Sequence, residues 1–272
     1  MISVLNNVSS LVAENALSST QANLQSTLTM LSTGLKLNSG AEDPAGISIS
    51  DGLGANIAAL TQSSQNASNG AGLLQTADGA LSQVTNLLNQ AVTIATEASN
   101  GGLTTDQATA ANTEFQSILS EITQIGSTTN FNGVQVFSGT AQTVFTSDGT
   151  SSGATTTSTT TGALSATSLA LNADDLTSTA DAQTALTDVT AAIATVAASR
   201  GSIGASVNQL TADTNVENTE VSNLTSAQNN VRNADIGTTV ANMTQYNVLE
   251  QTGMAALSQS NQAQQSVLKL LQ

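Results

Sequence analysis

The chain of 272 residues contains no histidine, cysteine or tryptophan. Without histidine there is no Ser-His-Asp or Cys-His relay and no His-x-x-x-His zinc site. Without cysteine there are no disulfides, thiol nucleophiles or thiolate metal sites. Basic residues are nearly missing as well: Lys36, Arg200, Arg232 and Lys269 face 19 acidic residues, for a net charge of −15. Such a surface repels a phosphate backbone and an anionic bilayer, which argues against nucleic-acid and membrane partners. No run of 18 apolar residues occurs, so membrane insertion is not expected. The stretch Met1-Ile-Ser-Val-Leu-Asn-Asn7 has neither the basic region nor the apolar core of a cleavable signal.

Charged residues make up 8% of the chain and aromatics 2%. Ala, Ser, Thr, Asn, Gln and Leu fill the remainder. Small apolar side chains let helices approach closely, and uncharged polar ones can be buried against a second subunit at modest cost. No Walker loop, EF-hand or nucleophile elbow is present. Gly52-Leu-Gly54-Ala-Asn-Ile57 opens like a dinucleotide loop but has Ile57 where glycine is needed, and no strand precedes it. The adjacent carboxylates Glu42-Asp43 and Asp174-Asp175 lack the cleft that acid–base chemistry needs. Asp43 reads as a helix cap and Asp174 as part of a solvated turn. The expectation is a non-enzymatic protein with no cofactor and no metal.

Hydrophobic periodicity carries most of the information. Leu60, Ala67, Leu74, Leu81, Leu88 and Ala95 recur every seventh residue, with Ser63, Gly70, Ala77, Val84, Ala91 and Ala98 at the companion position. This is a heptad with a small-residue seam. It predicts a helix from about Pro44 to Asn100, roughly 85 Å long at ~1.5 Å per residue. Asp43 caps it, Pro44 suits its first turn, and Gly101-Gly102 end it. Thr104 and Gln107 have capping-box spacing and open a second helix, stopped near Gly126. A third begins near Asp181, with the stripe Leu186, Val189, Ile193, Val196, Arg200, Ile203, Val207, Leu210, Thr214, Glu217, Val221 and Leu224. Thr214 and Glu217 mark a weaker stretch of seam or a contact with another polar face. The rod-domain seam is assigned to Leu60, Leu74, Leu81, Leu88, Ile193, Val196, Val207 and Leu210.

Between these helices the period shifts to two. Residues 131–145 alternate, with turns at Asn132-Gly133 and Ser138-Gly139, and read as short hairpin strands. Residues 146–180 read as a Ser/Thr-rich loop, with 146–162 an exposed loop or irregular strand, and the tract Thr155, Thr156, Thr157, Ser158, Thr159, Thr160 and Thr161 is a candidate for O-linked sugar. The four N-glycosylation patterns, at Asn7, Asn66, Asn223 and Asn242, are chance matches in so Asn-rich a chain.

The two ends are helical and amphipathic. Leu24, Leu28, Leu31 and Leu35 form a stripe on residues 5–37, stopped near Asn38-Ser39-Gly40. Ile236, Val240, Met243, Leu249, Leu257, Val267 and Leu270 mark another at the opposite end. Two such helices bury too little to stand alone. Pairing them, and burying what remains against neighbouring copies, solves the problem. The predicted fold class is mainly α: long antiparallel coiled-coil helices, a small β-hairpin region, and paired N- and C-terminal helices. The domains are then 1–42 with 233–272, and 43–232.

Several segments together resemble the bacterial flagellins. Leu31-Ser-Thr-Gly-Leu-Lys-Leu-Asn-Ser39 running into Glu42-Asp43-Pro44-Ala-Gly46 is similar to their N-terminal signature, and Asn130-Phe131-Asn132-Gly133 to the turn after their second helix. Arg200-Gly-Ser-Ile-Gly-Ala205 with Asn208-Gln-Leu210 resembles their third-helix segment. Ala234-Asp235-Ile236, and Asn261-Gln-Ala-Gln-Gln-Ser-Val-Leu-Lys-Leu-Leu271, resemble their C-terminus. The resemblance covers about residues 1–137 and 185–272, leaving a middle too short for the large outer domains of bigger relatives.

The resemblance implies a filament subunit for motility, located outside the cell and self-assembled as a helical homopolymer. It also implies terminal segments that fold on polymerisation into an inner tube, and flagellar type III export. An export chaperone would act at the C-terminal segment, with hook-junction and cap proteins at the filament ends. Leu88-Asn-Gln90-Ala-Val92-Thr93-Ile94 lacks the arginines and glutamate that Toll-like receptors bind in many relatives, so weak innate-receptor recognition is expected. Arg200, on the apolar stripe, needs an acidic partner. Either it pairs within its own subunit, with a carboxylate such as Glu114 or Glu121, or it bridges to another. A hook–filament junction protein shares the terminal architecture and differs in copy number. A secreted adhesin would need exposed aromatics, and only Tyr246 and four phenylalanines are available.

Overall fold

The computed structural model describes residues 7–147 and 155–270, with the backbone alone at 155, 158–160 and 267–270. Five helices and four strands occur among the described residues: α1 (Val8–Thr33), α2 (Pro44–Ala98), α3 (Thr105–Thr128), β1 (Asn130–Phe131), β2 (Val134–Gln135), β3 (Ala141–Thr146), β4 (Thr155–Thr160), α4 (Thr179–Arg232) and α5 (Ile236–Leu270). The fold is mainly α with two small antiparallel sheets, β1 with β2 and β3 with β4. The molecule divides into two compact units. One holds residues up to Ala55 and from Asn223, and the other holds Asn56–Ser222. The divisions fall inside α2 and α4, whereas the sequence places them at residues 42 and 233.

In the first unit α1 and α5 run antiparallel. Asn7 donates to Ser260 and Ser10 to Asn261 near one end, and Gln21 to Glu250 further along, so from the first two pairs to the third one residue number rises as the other falls. Asn7 caps α1 by accepting from the Ser10 amide. The sequence carries α1 on to residue 37, but it stops at Thr33. Gly34, at φ 72°, takes the left-handed conformation that ends a helix, and its N–H closes on the Met30 carbonyl. The freed segment then forms a bridge, Leu35 opposite Asn233, flanked by Lys36 N–H to the Arg232 carbonyl and Ala234 N–H to the Gly34 carbonyl. Asp43 accepts from the Gly46 amide and so caps α2.

The second unit is built on α2, α3 and α4. Leu60, Ala67, Leu74, Leu81, Leu88 and Ala95 are 0–3% exposed, as are Ala77, Val84 and Ala91. From α3 come Phe115, Ile118, Leu119 and Ile122, and from α4 Val189, Val196, Ile203 and Leu210. Toward its start α4 buries Ala182, Ala185 and Ala192, while Leu186 and Ile193 are half-buried. The capping box at Thr104 and Gln107 is present.

Asn132 and Gly133, at φ 50° and 80°, make the two-residue turn between β1 and β2. In the second hairpin the structure selects the strand from the two readings, loop or irregular strand, that the sequence left open. β3 pairs with the Ser/Thr tract itself, Ala141 opposite Thr160 through Thr146 opposite Thr155, so the tract is a strand over 155–160. Threonine is a good strand former because its branched Cβ suits a pleated surface. Composition marks it as surface, but only the partner strand makes it regular.

Residues 161–178 also depart from expectation. Leu164, Leu169, Leu171 and Leu176 are at most 9% exposed and join the helical core. This segment is a strap over the helices rather than a solvated loop, and its spaced leucines were the available signal. It comes closest at Gly126, where an added Cβ would run into the Leu164 carbonyl oxygen. Gly79, in the middle of α2, has no such neighbour. Gly126→Ala should therefore cost about 1–3 kcal/mol through forced displacement of the strap. Gly79→Ala should be neutral or stabilise by about 1 kcal/mol, because Ala is the better helix former. Urea unfolding of the two variants tests the contrast. Equal effects would remove the close approach as the cause.

Candidate self-assembly surface

The α1–α5 pair has a heptad seam, but not the one that hydrophobicity suggests. On α1 the less exposed positions are Ser10, Ala13, Leu17, Thr20, Leu24, Thr27 and Leu31, alternating in steps of three and four. On α5 they are Thr239, Met243, Tyr246, Glu250, Gly253, Leu257, Ser260 and Gln264. Only Thr27 and Thr239 fall below a tenth exposed. Leu17 lies over Gly253, where a Cβ would already crowd it. Half the seam is polar or small, and its hydroxyls and amides are tied by Asn7–Ser260 and Gln21–Glu250.

Of the inner residues named from sequence, Leu24, Leu31, Met243 and Leu257 lie on this seam, and Leu35 lies in the bridge. Leu28, Ile236, Val240 and Leu249 do not, being 47%, 47%, 40% and 44% exposed. They are corrected as contacts within one subunit: Leu28, Val240 and Leu249 are each one position off the three–four register that packs α1 on α5, whereas Ile236 falls in register at the open start of α5 and is still exposed. Val267 and Leu270 have side chains outside the described residues. Val8, Leu11, Val12, Val248 and Met254 are similarly open, at 50–65%. Full burial of an aliphatic side chain of this size is worth about 1.5–3 kcal/mol. These residues therefore give the terminal helices a strong reason to pack against something further.

In the second unit all the named rod-seam residues lie in or against the core: Leu60, Leu74, Leu81, Leu88, Val196 and Leu210 buried, Ile193 and Val207 half-buried. The polar entries in the α4 stripe have partners. Glu217, 7% exposed, accepts from the Ser63 hydroxyl at 2.5 Å, and Ser63 accepts from the Ser147 amide at 2.9 Å. So Glu217 meets a polar position of the α2 heptad. Burial pushes its carboxyl above the usual range, the Ser63 hydrogen bond opposes that, and Asp213 and Glu220 add to the rise.

Arg200 pairs with Asp78 of α2, its Nε at 2.7 Å and Nη2 at 3.2 Å from the two carboxylate oxygens. This corrects the choice of Glu114 or Glu121. Those acids sit on α3, whereas Asp78 adjoins the seam residue Ala77 on the helix that α4 faces. The pair is two-fifths exposed rather than buried. Its hydrogen bond to Arg200 draws the Asp78 carboxyl below its ordinary value and raises that of Arg200. In the Ser/Thr tract, Thr157 is 9% exposed and Thr161 2%, with the Thr161 hydroxyl donating to the Val136 carbonyl. Both are withdrawn as sugar acceptors because these residues are buried. Thr156 is exposed, and the side chains of Thr155, Ser158, Thr159 and Thr160 lie outside the described residues.

Among the described residues no cluster of three or more His, Cys, Asp or Glu could hold a metal ion, and no helix is long and apolar enough to cross a membrane. A ≈500 Å³ hollow against the strap is lined by Leu81, Phe137, Leu164, Leu169, Val196 and Ile203 among others. It contains no carboxylate or basic group.

Fold and surface together define a class: a mainly α coiled-coil protein whose two ends pair while keeping apolar side chains outward. Family-level comparison agrees. The model of the bacterial flagellin N-terminal helical region matches residues 4–142, and that of the C-terminal helical region matches residues 186–271. The chain belongs to the bacterial flagellin family. Similar relatives include flagellin 1 of Proteus mirabilis, 39% identical over 140 residues, and the flagellin of Serratia marcescens, 41% identical over 139. Each match takes in 51% of this chain, and 38% and 40% of the respective relative, so the chain spans well under two thirds of their length. A crystal structure of Bacillus cereus flagellin is 27% identical, covering 56% of this chain and 88% of that one, with a TM-score of 0.49.

Asp174, expected in a solvated turn, is 9% exposed and one of its oxygens has no hydrogen-bond partner. Burial, followed by the charge and hydrogen bond of Asp188 and the charge of Asp175, pushes its carboxyl up from 3.8 to about 6. A raised acid holds its proton in the folded state after the unfolded polypeptide has lost it. Stability from this group is therefore complete below about pH 4 and falls as pH rises toward about 6. Asp174→Asn should raise the melting temperature at neutral pH, and the advantage should shrink on acidification. A variant less stable at both ends of that range would rule out ionisation of Asp174 as the cost.

Proposed function

We propose that this chain is the structural subunit of a bacterial flagellar filament, a helical homopolymer used for motility. The observation that carries the proposal is the set of large apolar side chains on α1 and α5 that stand off the α1–α5 seam. A subunit meant to remain alone would turn them inward. Membership of the flagellin family supports the same reading.

In the filament, residues 1–42 and 233–272 form the inner tube, with Leu28, Ile236, Val240 and Leu249 packed between subunits, and residues 43–232 form the surrounding rod. The protein performs no catalysis. It leaves the cell by the flagellar export route, with a chaperone on its C-terminal segment, and meets hook-junction and cap proteins only at the filament ends. Neither nucleic acid nor membrane is a partner.

Salt-induced polymerisation of the purified protein, viewed by electron microscopy, should give thin filaments of uniform width. Leu28→Asp or Val240→Asp should abolish them while leaving the thermal unfolding of Asn56–Ser222 unchanged, since neither residue packs there. A wild-type protein that stays monomeric with both ends intact would overturn the proposal. Arg200→Ala should leave filament shape unchanged, because its partner Asp78 is in the same subunit. An altered waveform would place Arg200 at a subunit contact instead. In a reporter-cell assay the monomer should signal weakly, since Leu88–Ile94 carries no charged side chain; potent signalling would refute that.

A further inference from the structure

Asparagine followed by glycine can lose its side-chain amide without an enzyme, because the glycine nitrogen is sterically free to attack. The sequence has three such pairs: Asn69-Gly70, Asn100-Gly101 and Asn132-Gly133. They lie in very different surroundings. Asn69 is well inside α2, where the backbone N–H groups are committed to the helix ladder. Gly70 is moreover covered by Val144 and Leu210. Asn132 is in the two-residue turn at φ 50°, clamped by the Phe131–Val134 pair on either side. Its backbone cannot rotate to bring its side chain over the next nitrogen without opening the hairpin.

Asn100 has none of these restraints. It lies just past the end of α2, in the irregular link to α3, and is exposed. Its own N–H is held by the Glu97 carbonyl and its carbonyl accepts from the Gly102 N–H. Among the described residues the intervening Gly101 N–H makes no hydrogen bond. Nothing lies within 4 Å of the space a Gly101 side chain would fill. Two glycines in succession leave the link free to reach the geometry for ring closure.

We infer that Asn100 is a site of spontaneous deamidation in the folded protein, the other two pairs being protected by the fold. The Gly101 backbone nitrogen attacks the carboxamide carbon of Asn100. A new bond forms from that carbon to the Gly101 nitrogen, and its bond to the amide nitrogen of Asn100 breaks. Ammonia leaves carrying the proton that Gly101 gave up. Water then opens the succinimide at either carbonyl, giving aspartate or isoaspartate. No electrons change hands. Either product adds a negative charge three residues from Glu97, and isoaspartate also lengthens the backbone by one methylene. A protein that long outlives its synthesis would accumulate this mark at the α2–α3 link.

The folded full-length protein is held at mildly alkaline pH and then cut briefly with a glutamyl endopeptidase. Cleavage after Glu97 and Glu114 releases residues 98–114 with Asn100 as the sole Asn-Gly pair. Mass mapping should find this peptide converted at least about tenfold faster than Asn69 or Asn132, whose reaction needs local opening first. Asn100→Gln and Gly101→Ala should each suppress the conversion. In denaturant the three sites should react at similar rates, because the fold no longer distinguishes them. Equal rates in the folded state would overturn the inference. So would an Asn100 that keeps its amide when folded and loses it when unfolded.

Discussion

How near two helices can come depends on what stands between their backbones. On the α2 seam it is mostly leucine at one position and, apart from Val84, alanine, serine or glycine at the next. This alternation lets α3, α4 and the 161–178 strap approach closely enough to exclude water from Leu74, Leu81, Leu88, Phe115 and Ile122. Gly126 repeats the same device where the Leu164 carbonyl meets α3. Gly70 does so where Val144 of β3 meets α2. Each small residue is a place where something larger would push a neighbouring element off the core. The hairpin and the strap are held by these contacts, since a two-stranded sheet has little stability alone.

The terminal pair follows the opposite rule. Its seam is built from threonine, serine, glutamine and asparagine as much as from leucine, so pairing α1 with α5 yields little hydrophobic energy. Other aliphatic side chains, among them Leu28, Val240 and Leu249, are kept for other faces. A polypeptide arranged in this way gains more by associating than by closing on itself. That fits a subunit whose ends pack against copies of itself, as proposed above.

Charge is so scarce that individual ionised groups can be followed. Asp78 and Arg200 offset each other across α2 and α4 near solvent. Glu217 and Asp174 have no cation beside them, and both are pushed toward the protonated form by burial. Glu217 recovers part of the cost through Ser63, whose hydroxyl also receives the Ser147 amide and so ties the end of β3 to both helices. With no histidine present, Asp174, pushed up to about 6, brings a titration into the range that histidine usually covers.

Much of this was legible in the residues themselves. A heptad kept over six repeats can only be a long helix with one buried edge, so α2 and its core positions follow from period alone. The caps at Asp43 and Thr104 and the Asn132-Gly133 turn are local chemistry and need no tertiary information. What the sequence could not settle were choices among several compatible partners. Arg200 had several acids to choose from, and the crossing of α2 with α4 selected Asp78. The 155–160 tract was polar enough to be a loop until β3 lay beside it. Above all, apolar residues on α1 and α5 mark a face that must be covered without saying by what. Hydrophobicity records how strongly a side chain avoids water, and only three-dimensional register decides whether it turns toward its own subunit or away from it.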